Sequence, residues 1–331
     1  MMAFAMSACG TSADFQIEDA SDSRSSQAVA WDNSQDNPEN LDPSITMNKK
    51  FSELPLAGEA EQKPWPGYYW ATYKDNINLK WDGANTDAPT TKYAQAFGRT
   101  GLEDRVSAHY GIDSQSSNTA CTSSSDCKSG EACSKRDGQN SGYCIETWFG
   151  ICHAWAPAAV MEKEPLHAVV HNGVEFKVND LKALISLSYD KGSESTFISG
   201  RCDTQGDDMN FDENGNPTNE DGECSDTNAG TFHVAVANVI GIEGKSFVED
   251  RTYDYQVWNQ PVHSYEVKKT QAMTAFEAHQ KLGVKCESDN DDSSSTSGGF
   301  NWGSACEGGN GTFQQPIAHR ATKTVGDIPS G

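Results

Sequence analysis

Among the residues whose types and spacing could do chemistry, Cys152 comes first. In WFGICHAWAP, residues 148–157, the step Gly150-Ile151 leads into an alanine-rich, helix-like run through Ala154, Ala156, Ala158, Ala159 and Met161. That places Cys152 at or near a helix start, where outward-pointing N–H groups favour the reactive thiolate. His153 follows directly, but adjacent helical positions do not face each other, so the base must come from elsewhere. Pro157 fits a first turn only if the helix begins slightly later.

His233 has the most suggestive setting of the 8 histidines. It opens TFHVAVANVI, residues 231–240, whose alternation of β-branched residues predicts a buried strand. Gly241–Gly244 is a turn signal, and KSFVEDRTYDYQVW reads as the hairpin partner. A turn centred near residue 243 sets His233 opposite residue 252 or 253, flanked by Asp250 and Asp254 on one face. A carboxylate beside the imidazole would fix its tautomer and stabilise the imidazolium. Both aspartates remain open as orienter, and Asn259 is a third choice. Trp258 and Trp155 are candidates for the wall of a substrate groove, with core packing as the plainer use of Trp258. In that plainer vein, His233 is a satisfied strand histidine and the acids are edge solubilisers.

The elements that would hold these groups are partly legible. Residues 10 to about 45 are polar, acidic and aperiodic, a disordered linker. Residues 46–331 read as a single catalytic domain, with a cysteine-rich segment at 121–144 and an irregular tail from about 287. Tyr93, Phe97, Leu102 and Val106 recur at near-helical spacing, interrupted by Gly98 and Gly101. Val174 to Val178 reads as a strand, residues from Asp180 as a helix, and 270–283 as an amphipathic helix stopped by Gly283.

Of the 10 cysteines, Cys121, Cys127, Cys133 and Cys144 crowd a Ser-, Asp- and Gly-rich stretch, the mark of a disulfide-stapled loop. Cys202 with Cys224, and Cys286 with Cys306, bracket polar loops as local bridges. Setting aside Cys9 and Cys152 leaves eight, an even number, which permits Cys152 to stand outside the disulfide framework without requiring it. Met6-Ser7-Ala8-Cys9 is similar to a lipoprotein processing box, with Cys9 as a candidate for lipidation. Either lipid anchoring or a clipped signal puts the protein at an extracellular, cell-surface or periplasmic address.

Acidic residues outnumber basic ones 48 to 25, a net charge of −23, which repels phosphate backbones and excludes nucleic acid as a natural partner. No stretch is long and apolar enough for a transmembrane segment. The surplus of carboxylates suits a divalent cation. Asn210, Asp212, Asn214, Asn216 and Asp221 follow part of a calcium-loop pattern, with Gly215 at the turn; a solvated acidic loop is the alternative. Calcium is the one cofactor candidate, and no organic cofactor is expected.

WFGICHAWA resembles the Gly-x-Cys-Trp motif at the nucleophile helix of transglutaminase-like and papain-like enzymes, with His153 in place of the tryptophan. HVAVANV and VEDRT are similar to the histidine strand and Asp-x-Thr strand of the transglutaminase core. Most specific is VWNQPVHSYEV, which resembles the surface peptide Val-Trp-Asn-Gln-Pro-Val-Arg-Gly-Phe-Lys-Val-Tyr-Glu of oomycete elicitor transglutaminases, the segment that plants perceive. The run Val257 to Val262 matches it; His263, Ser264, Tyr265 and Glu266 depart, which bears on plant recognition rather than catalysis. The acidic composition and lipoprotein-like start look more like a bacterial relative.

This resemblance implies an α+β fold, with a papain-like or transglutaminase-like core in which the nucleophile helix packs on an antiparallel sheet, and with disulfide-stapled loops. It implies a protein-glutamine γ-glutamyltransferase that forms isopeptide cross-links through a cysteine thioester, acting on proteins with exposed Gln and Lys. Cys152 would be the nucleophile, His233 the base and Asp250 its orienter; it also suggests calcium dependence. A papain-like cysteine peptidase sharing the triad and a non-catalytic secreted binding protein are the competing functions.

Overall fold

The computed structural model describes residues 37–192, 198, 202–205, 208–211, 227, 229–252, 254–268, 270, 273–274 and 312–313. In chain order these contain β1 (Ala57–Glu59), α1 (Pro89–Phe97), α2 (Leu102–Tyr110), β2 (Ala120–Cys121), β3 (Glu131–Ser134) and β4 (Gly142–Glu146). There follow α3 (Cys152–Met161), β5 (Val169–His171), β6 (Val174–Phe176), α4 (Val178–Tyr189) and α5 (Ala229–Val236), which runs on into a π-helical turn, Ala237–Ile242. The chain then forms β7 (Phe247–Asp250), β8 (Asn259–Val262), β9 (Ser264–Glu266), β10 (Met273–Thr274) and β11 (Thr312–Phe313).

The strands pair antiparallel in small groups, β1 with β9, β5 with β6, β7 with β8 and β10 with β11, while β2, β4 and β3 form a three-stranded sheet in that order. This is an α+β fold with disulfide-stapled loops. The spacing that predicts helices around Gly98 and Gly101 matches α1 and α2, and the strand and helix expected from Val174 onward are β6 and α4.

Helix α3 positions the nucleophile. Its sequence is apolar on every side, so it is buried on every side: Ala154, Ala156, Ala158 and Ala159 are wholly inaccessible. Small side chains let α4 approach along one flank and the β7–β8 ribbon along another. Pro157 lies inside the helix without ending it; its missing N–H removes the bond that would go to the His153 carbonyl. Before α3, the chain pairs with an earlier segment: Ile151 N–H donates to Tyr69 O at 2.7 Å and Thr72 N–H to Phe149 O at 2.9 Å. Gly150 is required at this crossing, because a Cβ there would lie 2.4 Å from the Tyr69 carbonyl oxygen.

Helix α4 is anchored at its first turn by Asp180, which is fully buried. Its carboxylate accepts from Lys92 Nζ at 2.5 Å, Trp81 Nε1 at 2.8 Å and the Lys177 N–H at 2.8 Å. One side chain thereby ties α4 to α1 and to the loop before it. Replacing Asp180 with Ala leaves the Lys92 ammonium, 12% exposed, without its counter-ion. The expected cost is about 3–5 kcal/mol, read as a lower urea midpoint with unchanged slope; an unchanged midpoint would show that the anchor is dispensable.

Two sequence expectations are corrected. Residues 231–240 are not a strand. They form α5 and the π turn, and they centre a core cluster from Val234 to Ile240 with Leu41, Met47, Leu54, Phe247, Val262 and Tyr265. Apart from Thr231, His233 and Asn238 the run is apolar, and all three are buried, so alternation carried no information about which faces are buried, and a buried helix satisfies it equally. Asn238 donates from Nδ2 to Val234 O at 2.7 Å and Asn48 O at 2.9 Å, and accepts from Asn48 N–H at 2.7 Å. With no strand at 231–240, the expected hairpin does not form, and β7 pairs with β8. The helix expected over 270–283 is likewise contradicted at Met273–Thr274, which form β10; most of that stretch lies outside the described residues.

Candidate functional site

Cys152 is the first residue of α3, 1% exposed, with its thiol outside the disulfide framework. Two groups from one neighbouring segment meet the sulfur. Its S–H donates to the Val257 carbonyl at 3.4 Å, and Asn259 Nδ2 donates to Sγ at 3.7 Å. The two contacts favour opposite protonation states: the carbonyl holds a neutral thiol, while the amide N–H and the helix N-terminus favour a thiolate.

The segment is held in place by Asp250. Asp250 and Asn259 are Cα partners at the end of the ribbon. Asp250 Oδ1 accepts from the Trp258 N–H at 2.8 Å, and from the Thr252 N–H at 3.1 Å and Oγ1 at 2.9 Å. Thr252 Oγ1 in turn donates to the Gln256 carbonyl. The Asp-x-Thr motif therefore closes the 250–258 loop and fixes the backbone that carries Asn259. Asp250 itself is exposed. Asp254 accepts from the Gln256 N–H at 3.0 Å, a second local turn within the same loop.

The structure brings Cys152, Val257 and Asn259 together. It places His233 in α5, 1% exposed, with its ring 4.9 Å from that of Phe51, and the hairpin that was to set it beside Asp250 is absent. His153 meets Asp190 at 2.6 Å. Trp155 belongs to a core cluster with Trp65 and the α3 alanines rather than to a groove, its indole filling the space that a Cβ on Gly67 would need.

Trp258 does line a groove, of about 590 Å³, together with Tyr69, Trp148, Tyr255 and the strands of the cysteine-rich segment. Trp258 stacks obliquely on Tyr69, ring centroids 5.5 Å apart. Burial, and then the neighbouring Tyr68 and Tyr73 phenols, push the Tyr69 hydroxyl well above its ordinary pKa; burial and the Glu146 carboxylate raise that of Tyr255. Both phenols therefore stay protonated donors across neutral pH. The Val257 carbonyl and the groove glutamates escaped sequence reasoning. A backbone acceptor leaves no sequence signal, although the alternation Val257-Trp258-Asn259 could have assigned Trp258 to the face opposite Asn259.

The cysteine-rich segment is bridged Cys121–Cys133 and Cys127–Cys144. Cys202 is also disulfide-bonded. Cys9, Cys224, Cys286 and Cys306 lie outside the described residues, as do Asp212, Asn214, Asn216 and Asp221 of the calcium-loop pattern. Asn210 is exposed, and its side-chain amide donates to Asp208 O at 3.3 Å. Among the described residues no helix is long and apolar enough to cross a membrane.

Comparison with known proteins adds two findings. The family described as transglutaminase elicitor matches residues 43–293. The solved GP42 transglutaminase from Phytophthora sojae is similar at 39% sequence identity and a TM-score of 0.60, over 75% of this chain and 67% of that one. No curated protein matches the chain.

Proposed function

The chain belongs to the transglutaminase elicitor family, and from that premise we propose that it is a protein-glutamine γ-glutamyltransferase with Cys152 as nucleophile. The observation that carries this reading is the Cys152 thiol at the start of α3, between the Val257 carbonyl and the Asn259 amide. In the proposed reaction the sulfur bonds to the carboxamide carbon of a substrate glutamine, and the C–N bond breaks with release of ammonia. A thioester remains. A lysine amine then bonds to the same carbon, the C–S bond breaks, and the thiol is restored with one proton from the amine.

Asn259 supports the thiolate in this scheme, and Asp250 acts through it as a positioning residue. His233 is proposed as the proton carrier. Its support is the family resemblance and the burial of an imidazole, which is costly enough to suggest a use. Because Cys152 is 1% exposed, substrate entry requires the structure around its thiol to open. The disulfides suit an oxidising, extracellular setting. Lipid anchoring at Cys9 and calcium binding by the 210–221 loop are further parts of the proposal.

The test supplies a fluorescent primary amine and a glutamine-rich protein, with calcium and with a chelator. Covalent labelling with stoichiometric ammonia release is expected, together with its loss in His233→Gln. Fragments without labelling would identify a cysteine peptidase, and neither outcome would reduce the chain to a binding protein. Identical rates with chelator would remove calcium, and a folded, active His233→Gln protein would remove His233.

A further inference from the structure

The groove beside the nucleophile segment has a chemistry of its own. Glu131 on β3 and Glu146 on β4 are directly opposed Cα partners, so their side chains share one face of the sheet. That face lines the groove. Two carboxylates directly across a strand pair repel each other. Each has one oxygen engaged: Glu146 Oε2 accepts from Tyr255 OH at 2.7 Å and from Trp148 Nε1, and Glu131 Oε2 accepts from the Lys128 N–H at 2.9 Å. Among the described residues no hydrogen bond reaches Oε1 of either. Tyr69, Trp148, Tyr255 and Trp258 also line the groove, with exposed Lys128.

Two opposed carboxylates in an aromatic-lined groove make a site for an organic cation. A glutamine carboxamide is neutral and gains little from these charges; a primary ammonium is attracted to both carboxylates. The groove is joined to the nucleophile through the backbone: Trp258, on the face opposite Asn259, lies between the two residues that touch Cys152 Sγ, and the Tyr69 carbonyl accepts the Ile151 N–H one residue before the nucleophile.

We infer that this groove receives the primary ammonium of the acceptor amine, with Glu131 and Glu146 as its charge-recognising residues. The inference rests on the transglutaminase reading. On leaving the groove the ammonium gives one proton to solvent, and the neutral amine attacks the thioester.

The experiment measures transfer to Nα-acetyl-lysine methylamide and to hydroxylamine, which is uncharged at neutral pH. In Glu131→Gln and Glu146→Gln the kcat/KM ratio of the cationic over the neutral acceptor is expected to fall about tenfold each, as for loss of a charge-assisted contact. Thermal stability is expected to hold or rise, because the like-charge opposition is relieved. An unchanged ratio in active, folded variants overturns the inference and leaves the transglutaminase reading intact. If the wild-type protein releases no ammonia from glutamine peptides, that reading fails. Quenching of Trp148 and Trp258 fluorescence by the lysine compound, lost in both variants, then still supports the groove; no quenching overturns it. Calcium quenching without amine quenching would make it a metal site and overturn it as well.

Discussion

Cys152→Ala is expected to eliminate both ammonia release and amine incorporation, by a factor on the order of 10⁴ or more, because the proposed thioester forms on the Cys152 sulfur. The loss falls on kcat rather than on folding. The Val257 carbonyl and the Asn259 amide meet Cys152 Sγ at the long distances of 3.4 and 3.7 Å, and the α3 turn around it is held by backbone bonds from Ala154 and Trp155 to Ile151 O. Removing one sulfur from this setting costs about 1 kcal/mol, a small shift in the melting curve. The comparison therefore separates chemistry from stability. Mass spectrometry supplies a second readout. Wild-type protein held with a glutamine peptide and no amine acceptor should carry the acyl group on the tryptic fragment containing Cys152, and the alanine variant should carry none. Retained turnover in Cys152→Ala, or an acyl group on another residue, overturns the assignment.

The parts of the site visible in the sequence are those whose signal is local. Gly150 before an alanine-rich run marks a helix start because glycine allows the close crossing with Tyr69 and alanine allows full burial. The cysteine cluster announces its staples because so polar a stretch has no other way to stay ordered, although its spacing could not choose the pairing found, Cys121–Cys133 and Cys127–Cys144. The failures involve tertiary context. TFHVAVANVI is buried on every face, polar residues included, so period could not separate helix from strand, and the error spread to the hairpin register that set His233 beside Asp250. The orienter ranked last, Asn259, is the one that contacts the thiol. Its neighbour on the ribbon is Asp250, registered opposite it. Asp250-x-Thr252 looked like chemistry and is first a loop clamp.

Asn259 carries the second large effect. Its amide N–H favours the charged form of the sulfur, so its removal makes the thiolate harder to form. Activity that depends on the thiolate rises with pH, and in Asn259→Ala that rise moves to higher pH. At neutral pH kcat/KM is expected to fall about 100-fold, in the range for loss of one preorganised donor, with part of the loss recovered in alkaline buffer. Asn259→Asp is the harsher change despite its near-identical shape. It replaces the donor with a carboxylate whose repulsion of a thiolate at this distance is on the order of 4 kcal/mol. Its loss should therefore approach 1000-fold, with the acidic limb displaced further than in the alanine variant. The rate of iodoacetamide alkylation follows thiolate formation without needing substrate, and should fall in the same order, wild type, then Ala, then Asp. If both variants keep the wild-type pH profile and alkylation rate and lose only thermal stability, Asn259 is packing, and the thiol is activated by α3 and its proton carrier without it.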